Sequence, residues 1–175
     1  MPARKATQIA DVLARVKPRE ETITLYLDGA AAGRIAELEA QLADLADWQP
    51  DSLAAADPRR AIAKEIAAVQ DQIRDSAQPF TFRALPAKAW SDLLAVHPGR
   101  HAQELYNPTT LPTALVSACA VEPAMTPEEY EQLAEVLNQA QRDELELAAW
   151  RVNNEATSVP FSLAASALRH STGER

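Results

Sequence analysis

Two apolar stripes with the alternating three- and four-residue spacing of a coiled-coil seam occupy the first half of the chain. The first stripe ends near Trp48-Gln49-Pro50. The second begins after Asp57 and Pro58, residue types favoured at the N-cap and the first position of a helix. Two helices joined by a short loop can bury such stripes on each other, so the pattern predicts an antiparallel helical hairpin. The stripes consist of Ala31, Ile35, Leu38, Leu42 and Leu45, and of Ile62, Ile66, Val69 and Ile73.

A short β-rich run lies on each side of this predicted hairpin. Residues 22–27 alternate between polar and apolar types and end at Asp28-Gly29, and residues 80–83 follow Pro79. Because a hairpin returns the chain to its starting point, the two strands should meet at its base and pair antiparallel. The sequence therefore predicts a β-α-α-β unit within residues 20–84.

The second half of the chain has the pattern of short helices separated by prolines. Pro86 can open a helix that His97-Pro98-Gly99 ends, and Thr110 can cap the next helix. The run Thr126-Pro127-Glu128-Glu129 is a capping box with proline at the first helical position. It predicts the start of a third helix. Two more helices are predicted, one carrying Leu145, Ala148, Ala149 and Val152, and one carrying Phe161, Ala164, Ala165 and Leu168.

Together these patterns predict a mainly α fold with a small β component. Only four glycines and 5% aromatic residues argue against a β-sandwich or barrel, which needs many turns and many bulky side chains. We expect residues 85–170 to form a compact helical subdomain and residues 171–175 a frayed tail. Residues 1–19 form an N-terminal arm with a weak amphipathic helix. The apolar residues of that arm are Ile9, Val12, Leu13 and Val16.

Charge and hydropathy limit the classes of function. The chain has 17 basic and 25 acidic side chains and a net charge of −8, so phosphate backbones and anionic lipids repel it as a whole. No apolar run approaches the roughly 18 residues of a membrane span, and the N-terminus lacks the apolar core of a signal peptide. A single cysteine excludes an intrachain disulfide and a Cys-based zinc site. We therefore expect a cytoplasmic protein that binds neither nucleic acid nor membrane.

Few residues are candidates for catalysis or metal binding. His97 and His101 have a metal-ligand spacing, but Pro98-Gly99 interrupts the helix that would align them, so solvent-facing loop histidines are the simpler interpretation. Cys119 lies in an apolar helical stretch with no basic residue near it in sequence, which indicates a core residue rather than a nucleophile. No phosphate-binding or dinucleotide motif occurs. The sequence thus predicts no catalytic, cofactor or metal site, and no enzyme.

The acidic residues are concentrated in one stretch. Residues 122–146 contain eight acids and a single base, Arg142, and so carry a net charge of −7. Such a face can attract a basic partner helix, although charge runs more often mark solvated helix surfaces. The residues of this possible partner-binding acidic face are Glu122, Glu128, Glu129, Glu131, Glu135, Asp143, Glu144 and Glu146.

The sequence does not determine what the hairpin packs against. Two helices that share narrow stripes satisfy each other, yet a two-helix hairpin buries little surface by itself. It could lean on the C-terminal helices or on another subunit. The three tryptophans, Trp48, Trp90 and Trp150, are expected to be core or boundary anchors because no group of basic residues surrounds them.

Several longer segments share an order and spacing with one group of proteins. The segments are TLYLDG at 24–29, FTFRALPAKAWSDLL at 80–94, His97-Pro98, NPTTLPTALVSAC at 107–119, the acidic helix after Thr126, Val152-Asn153-Asn154 and VPFSLAAS at 159–166. In these segments the chain resembles the tail assembly chaperones of siphophages and prophages of actinobacteria. The resemblance covers residues 22–168 and depends on apolar and proline placement.

The resemblance implies a non-enzymatic role in the host cytoplasm. Chaperones of this group bind the long, largely helical tape measure protein, keep its apolar segments soluble and are absent from the finished particle. Many are made in two lengths by a ribosomal frameshift. Affinity for many similar segments needs repetition, so we expect self-association or several copies per client. A structural or connector component of a phage tail is the alternative, and the acidic stretch argues against a DNA-binding regulator.

Overall fold

The computed structural model describes residues 8–50 and 56–156, which contain seven helices and three strands. This arrangement confirms the mainly α fold with a small β component. The helix predicted after Pro160 and the tail at 171–175 lie outside the described residues. The elements are α1 (Ile9–Leu13), β1 (Glu20–Tyr26), α2 (Gly29–Asp44), α3 (Pro58–Asp75), β2 (Ala77–Arg83), α4 (Ala87–Val96), α5 (Leu111–Cys119), β3 (Ala120–Glu122), α6 (Pro127–Val136) and α7 (Gln139–Asn154).

The predicted helical hairpin is present as α2 and α3. Its antiparallel sense follows from two contacts, in which the partner on α3 moves back along the chain as the position on α2 moves forward. Arg34 donates to Glu65 with an Nη2–Oε1 distance of 2.6 Å, and the Gln72 amide donates to Asp28, the N-cap of α2, at 2.6 Å. The two helices pack along each other and make at most isolated contacts with the other elements of the described chain. The two-helix hairpin therefore projects from the sheet.

The two predicted strands pair antiparallel, as the sequence predicts, in a sheet with the order β1-β2-β3. Thr22 lies opposite Thr81, and their hydroxyl oxygens are 2.9 Å apart. The third strand was not predicted. It follows α5 directly, has three residues, and pairs with β2 around Thr81 and Phe82.

The hydrophobic core joins the sheet to the C-terminal helices. Buried side chains from β1 and β2 contact those of α5, α6 and α7, and α7 packs on both strands. Within the described residues, helices α5 to α7 thus share a core with β1 and β2, and this core includes residues on both sides of positions 84 and 85. The buried residues are Leu25, Phe80, Phe82, Leu111, Leu115, Val116, Cys119, Tyr130, Leu145, Ala148, Ala149 and Val152.

The helix ends of the second half agree with the prolines and caps, with one exception. Helix α4 begins after Pro86 and ends before His97, and α6 begins with the complete capping box of Thr126 and Glu129. Thr110 occupies the N-cap position of α5, as predicted, but its side chain makes no capping hydrogen bond. Its hydroxyl lies 2.8 Å from His97 Nδ1 instead.

Candidate functional site

An open groove of about 250 Å³ lies between α5 and α7. Four residues of α7 line it, at the first, fourth, fifth and eighth positions of a helical repeat, and so share one side of the helix. The fully buried residues of α7 face the core. Leu111 and Leu115 of α5 are buried beneath the groove, and Leu147 of α7 is 50% exposed beside it. The full lining is Tyr106, Leu111, Pro112, Leu115, Asp143, Glu146, Leu147 and Trp150.

Aromatic rings form one end of the groove. Trp150 packs edge-on against Trp90, with ring centroids 5.6 Å apart, and Tyr106 packs against Trp150 at 5.3 Å. All three rings are partly buried against the core, as predicted for Trp90 and Trp150. Because neighbouring rings restrict one another, the groove offers a partner a rigid apolar surface.

Two carboxylates form the acidic rim of the groove. Asp143 accepts a hydrogen bond from the Gln139 amide at 2.6 Å, and Glu146 accepts one from the Tyr130 hydroxyl at 3.1 Å. Burial, and secondly the charge of Glu146, raise the pKa of Tyr130 above its ordinary value of 10.0, so the hydroxyl stays a donor. Neither carboxylate forms an ion pair with a residue of the described chain. The rim is therefore available to a basic group.

The eight residues of the predicted acidic face lie at several separate places in the structure. Asp143 and Glu146 line the groove, whereas Glu131 lines a separate pocket beside His97 and the threonines at the start of α5. Glu129 belongs to the capping box of α6. The other acids are exposed on β3, α6 and α7, namely Glu122, Glu128, Glu135 and Glu144.

The histidines and the cysteine have separate partners. His97 lies in the loop after α4, is partly exposed, and has Nδ1 2.8 Å from the Thr110 hydroxyl. His101 is exposed, 3.5 Å from Glu104. Cys119 is buried and accepts a hydrogen bond from Asn153 at 3.2 Å, which confirms it as a core residue, and burial raises the pKa of its thiol. Across residues 8–50 and 56–156, no cluster of three or more His, Cys, Asp or Glu side chains could hold a metal ion.

The groove was not predicted from the sequence. The signal on α7 was present, because Asp143, Glu146, Leu147 and Trp150 follow a helical line that mixes acidic and apolar types. Tyr106 and Pro112 carry no comparable signal, since Tyr106 comes from the loop between α4 and α5 and reaches the site only through tertiary packing.

Comparisons with protein-family models, with curated proteins and with solved structures found no match for this chain. Within the described residues, no helix has both the length and the apolar character that crossing a membrane requires.

Proposed function

We propose that this chain is a tail assembly chaperone that holds helical segments of a phage tape measure protein in the host cytoplasm. The observation that carries the proposal is the groove between α5 and α7, with its apolar floor, aromatic end and acidic rim. An amphipathic helix in such a groove buries apolar side chains on its contact face. A lysine or arginine at the edge of that face would meet Asp143 or Glu146.

The energies of these contacts suit reversible holding. Burying one large apolar side chain contributes about 1.5–3 kcal/mol. An exposed ion pair at the rim adds about 0.2–1 kcal/mol. A single groove would thus bind weakly and release readily, whereas several copies along one long client would bind it more persistently. The choice of a tape measure protein as the client depends on the resemblance of the segments between residues 22 and 168.

Co-expression with the tape measure protein of the same gene cluster tests the proposal. We expect the client to become soluble and to elute together with this chain on size exclusion. A client that stays equally insoluble, with no complex on the column, would show that the proposal is wrong.

A pair of matched variants tests the groove separately. Leu147→Glu places a charge on the apolar surface and should weaken the complex at least tenfold. Val136→Glu introduces the same change at a side chain that is 80% exposed at the end of α6, outside the groove, and should bind as the unaltered chain does. Equal binding by both variants would exclude the groove as the client site.

A further inference from the structure

The N-terminal arm presents an apolar surface that the rest of the described chain leaves open. Ile9 is 71% exposed, and Leu13 and Val16 are each 66% exposed. Their spacing of four and three residues places Ile9 and Leu13 on one side of α1, and Val16 on the same side of the turn that follows this helix. Single exposed apolar residues are ordinary, but a line of three is a surface that a partner can cover.

The charge of the arm is opposite to that of the groove region. Residues 1–19 contain five basic side chains and one acidic side chain, a net charge of +4, in a chain whose total is −8. Arg15 and Lys17 flank Val16, the last residue of the apolar line, in the sequence. The groove has an apolar floor and an acidic rim of Asp143 and Glu146, within a stretch of net charge −7. The arm thus has the two properties that the groove requires of a ligand, an apolar line and adjacent positive charge.

We infer that the arm of one copy of this chain docks into the α5–α7 groove of a second copy. The apolar line would cover the surface around Leu147 and Trp150, and Arg15 and Lys17 would approach the acidic rim. The inference rests on the groove of the proposed function and adds a ligand for it. The contact is head to tail, since one copy supplies the arm and the other the groove.

The base of the arm is fixed while its apolar line stays uncovered. The Arg19 guanidinium donates to the backbone oxygen and the carboxylate of Glu155 at 3.1 and 3.0 Å, and the Arg19 carbonyl accepts from the Ala84 amide at 2.8 Å. Among residues 8–50 and 56–156, the apolar line of the arm and the groove are both exposed, so each can contact a neighbouring copy. Docking between copies would protect the groove before a client arrives, and a client with more apolar contacts would displace the arm.

Self-association of the full chain, followed by light scattering at increasing concentration, tests this inference. We expect concentration-dependent assembly that weakens as salt rises, because screening reduces the attraction between arm and rim. The double variant Ile9→Asp with Leu13→Asp should weaken assembly at least tenfold. Ala10→Asp with Ala14→Asp is the matched control. It adds the same charge about 100° around the helix axis from the apolar line and should have a clearly smaller effect.

Mixing two defective variants identifies the contact. Copies with Ile9→Asp and Leu13→Asp keep an intact groove, and copies with Leu147→Glu keep an intact arm. Neither should assemble alone, but the mixture should form one-to-one pairs. An unaltered chain that stays monomeric at every concentration, as docking within one copy would give, overturns the inference. So does assembly of the arm variant to the same extent as the unaltered chain.

The same variants separate this inference from the proposed function. The arm variant should still solubilise the client, because its groove is unchanged. If the unaltered chain assembles through its arm but binds no client, the proposed function fails and the inference stands. If the client binds and the arm variant assembles normally, the inference alone fails.

Discussion

Replacing Phe82 with alanine tests whether the sheet and the C-terminal helices unfold as one body. Phe82 lies on β2, within the predicted β-α-α-β unit, yet its side chain is 0% exposed in the same cluster as residues of α5 and α7. Truncating a buried phenylalanine costs about 3–5 kcal/mol. That is a large part of the 5–15 kcal/mol by which a domain is typically stable. If the core is shared, the C-terminal helices must lose this stability as well.

Tryptophan fluorescence during urea unfolding measures the stability of the C-terminal helices. In a Trp48→Phe background, Trp90 and Trp150 report only on the C-terminal helices. With a slope of about 2 kcal/mol per molar urea, the midpoint should fall by about 1.5–2.5 M. Thr24→Ala, at an exposed position of β1, is the control and should change stability by less than about 0.5 kcal/mol. An unchanged midpoint in the Phe82 variant would show that residues after 84 have a core of their own and would refute the shared core.

One helix cap and two buried side chains give further predictions. Thr126→Ala removes the hydroxyl that accepts from the Glu129 amide at 3.2 Å and should lower the unfolding free energy by about 1 kcal/mol, whereas Thr126→Ser should keep most of it, as thermal melts would show. Cys119, buried with a raised pKa, should react with a thiol reagent only as fast as the protein opens; fast labelling of the folded chain would contradict its burial. The pKa of Tyr130 is higher in the folded state than its ordinary value of 10.0. The buried neutral phenol therefore contributes its full stabilisation below pH 10, and this stabilisation is lost as the pH rises above 10. Tyr130→Phe should therefore reduce the loss of unfolding free energy at alkaline pH, and an unchanged pH slope would argue against a buried phenol.

The hairpin and its two strands could be predicted because their signals are local. A coiled-coil stripe, an N-cap aspartate and an alternating run each depend on residues a few positions apart. The bounds of β2 were less predictable, since the strand begins at Ala77, before Pro79. Proline is tolerated there because only β1 pairs with this end of β2, while β3 reaches Thr81 and Phe82.

The features that escaped prediction depend on distant residues. Strand β3 is three residues long and exists through its pairing with β2. Thr110 occupies the N-cap position, but its hydroxyl contacts His97 of the preceding helix end instead of capping α5. The groove needs Tyr106 from a loop beside Trp150 of α7, a juxtaposition across more than 40 positions of sequence. No local pattern contains these pairings.

The hairpin should be the first part of the described chain to open. Helix α3, whose residues are all described, has no fully buried side chain and packs mainly on α2. Its N-terminal charges also oppose the helix dipole, since Arg59, Arg60 and Lys64 lie in the first two turns, whereas Arg74 and Asp75 at the other end have opposite charges. Asp57, the N-cap of α3, offsets part of this charge by pairing with Arg59 at 2.8 Å. The hairpin thus has little beyond its own seam to stabilise it.

Ile66→Ala separates the stability of the hairpin from that of the core. Ile66 is half-buried in the seam, so we expect a loss below the 2–5 kcal/mol of a fully buried isoleucine, about 1–2 kcal/mol. Hydrogen exchange of the α3 amides should accelerate by roughly five- to thirtyfold, because these amides exchange through local opening. The Trp90 and Trp150 midpoint in the Trp48→Phe background should stay within about 0.3 M of its unaltered value, since these rings pack on a core that excludes α3. A midpoint that falls by about 0.5–1 M, the equivalent of the full 1–2 kcal/mol, would mean that hairpin and core unfold together, because a projecting pair of helices cannot transmit such a loss unless its opening also disrupts the sheet.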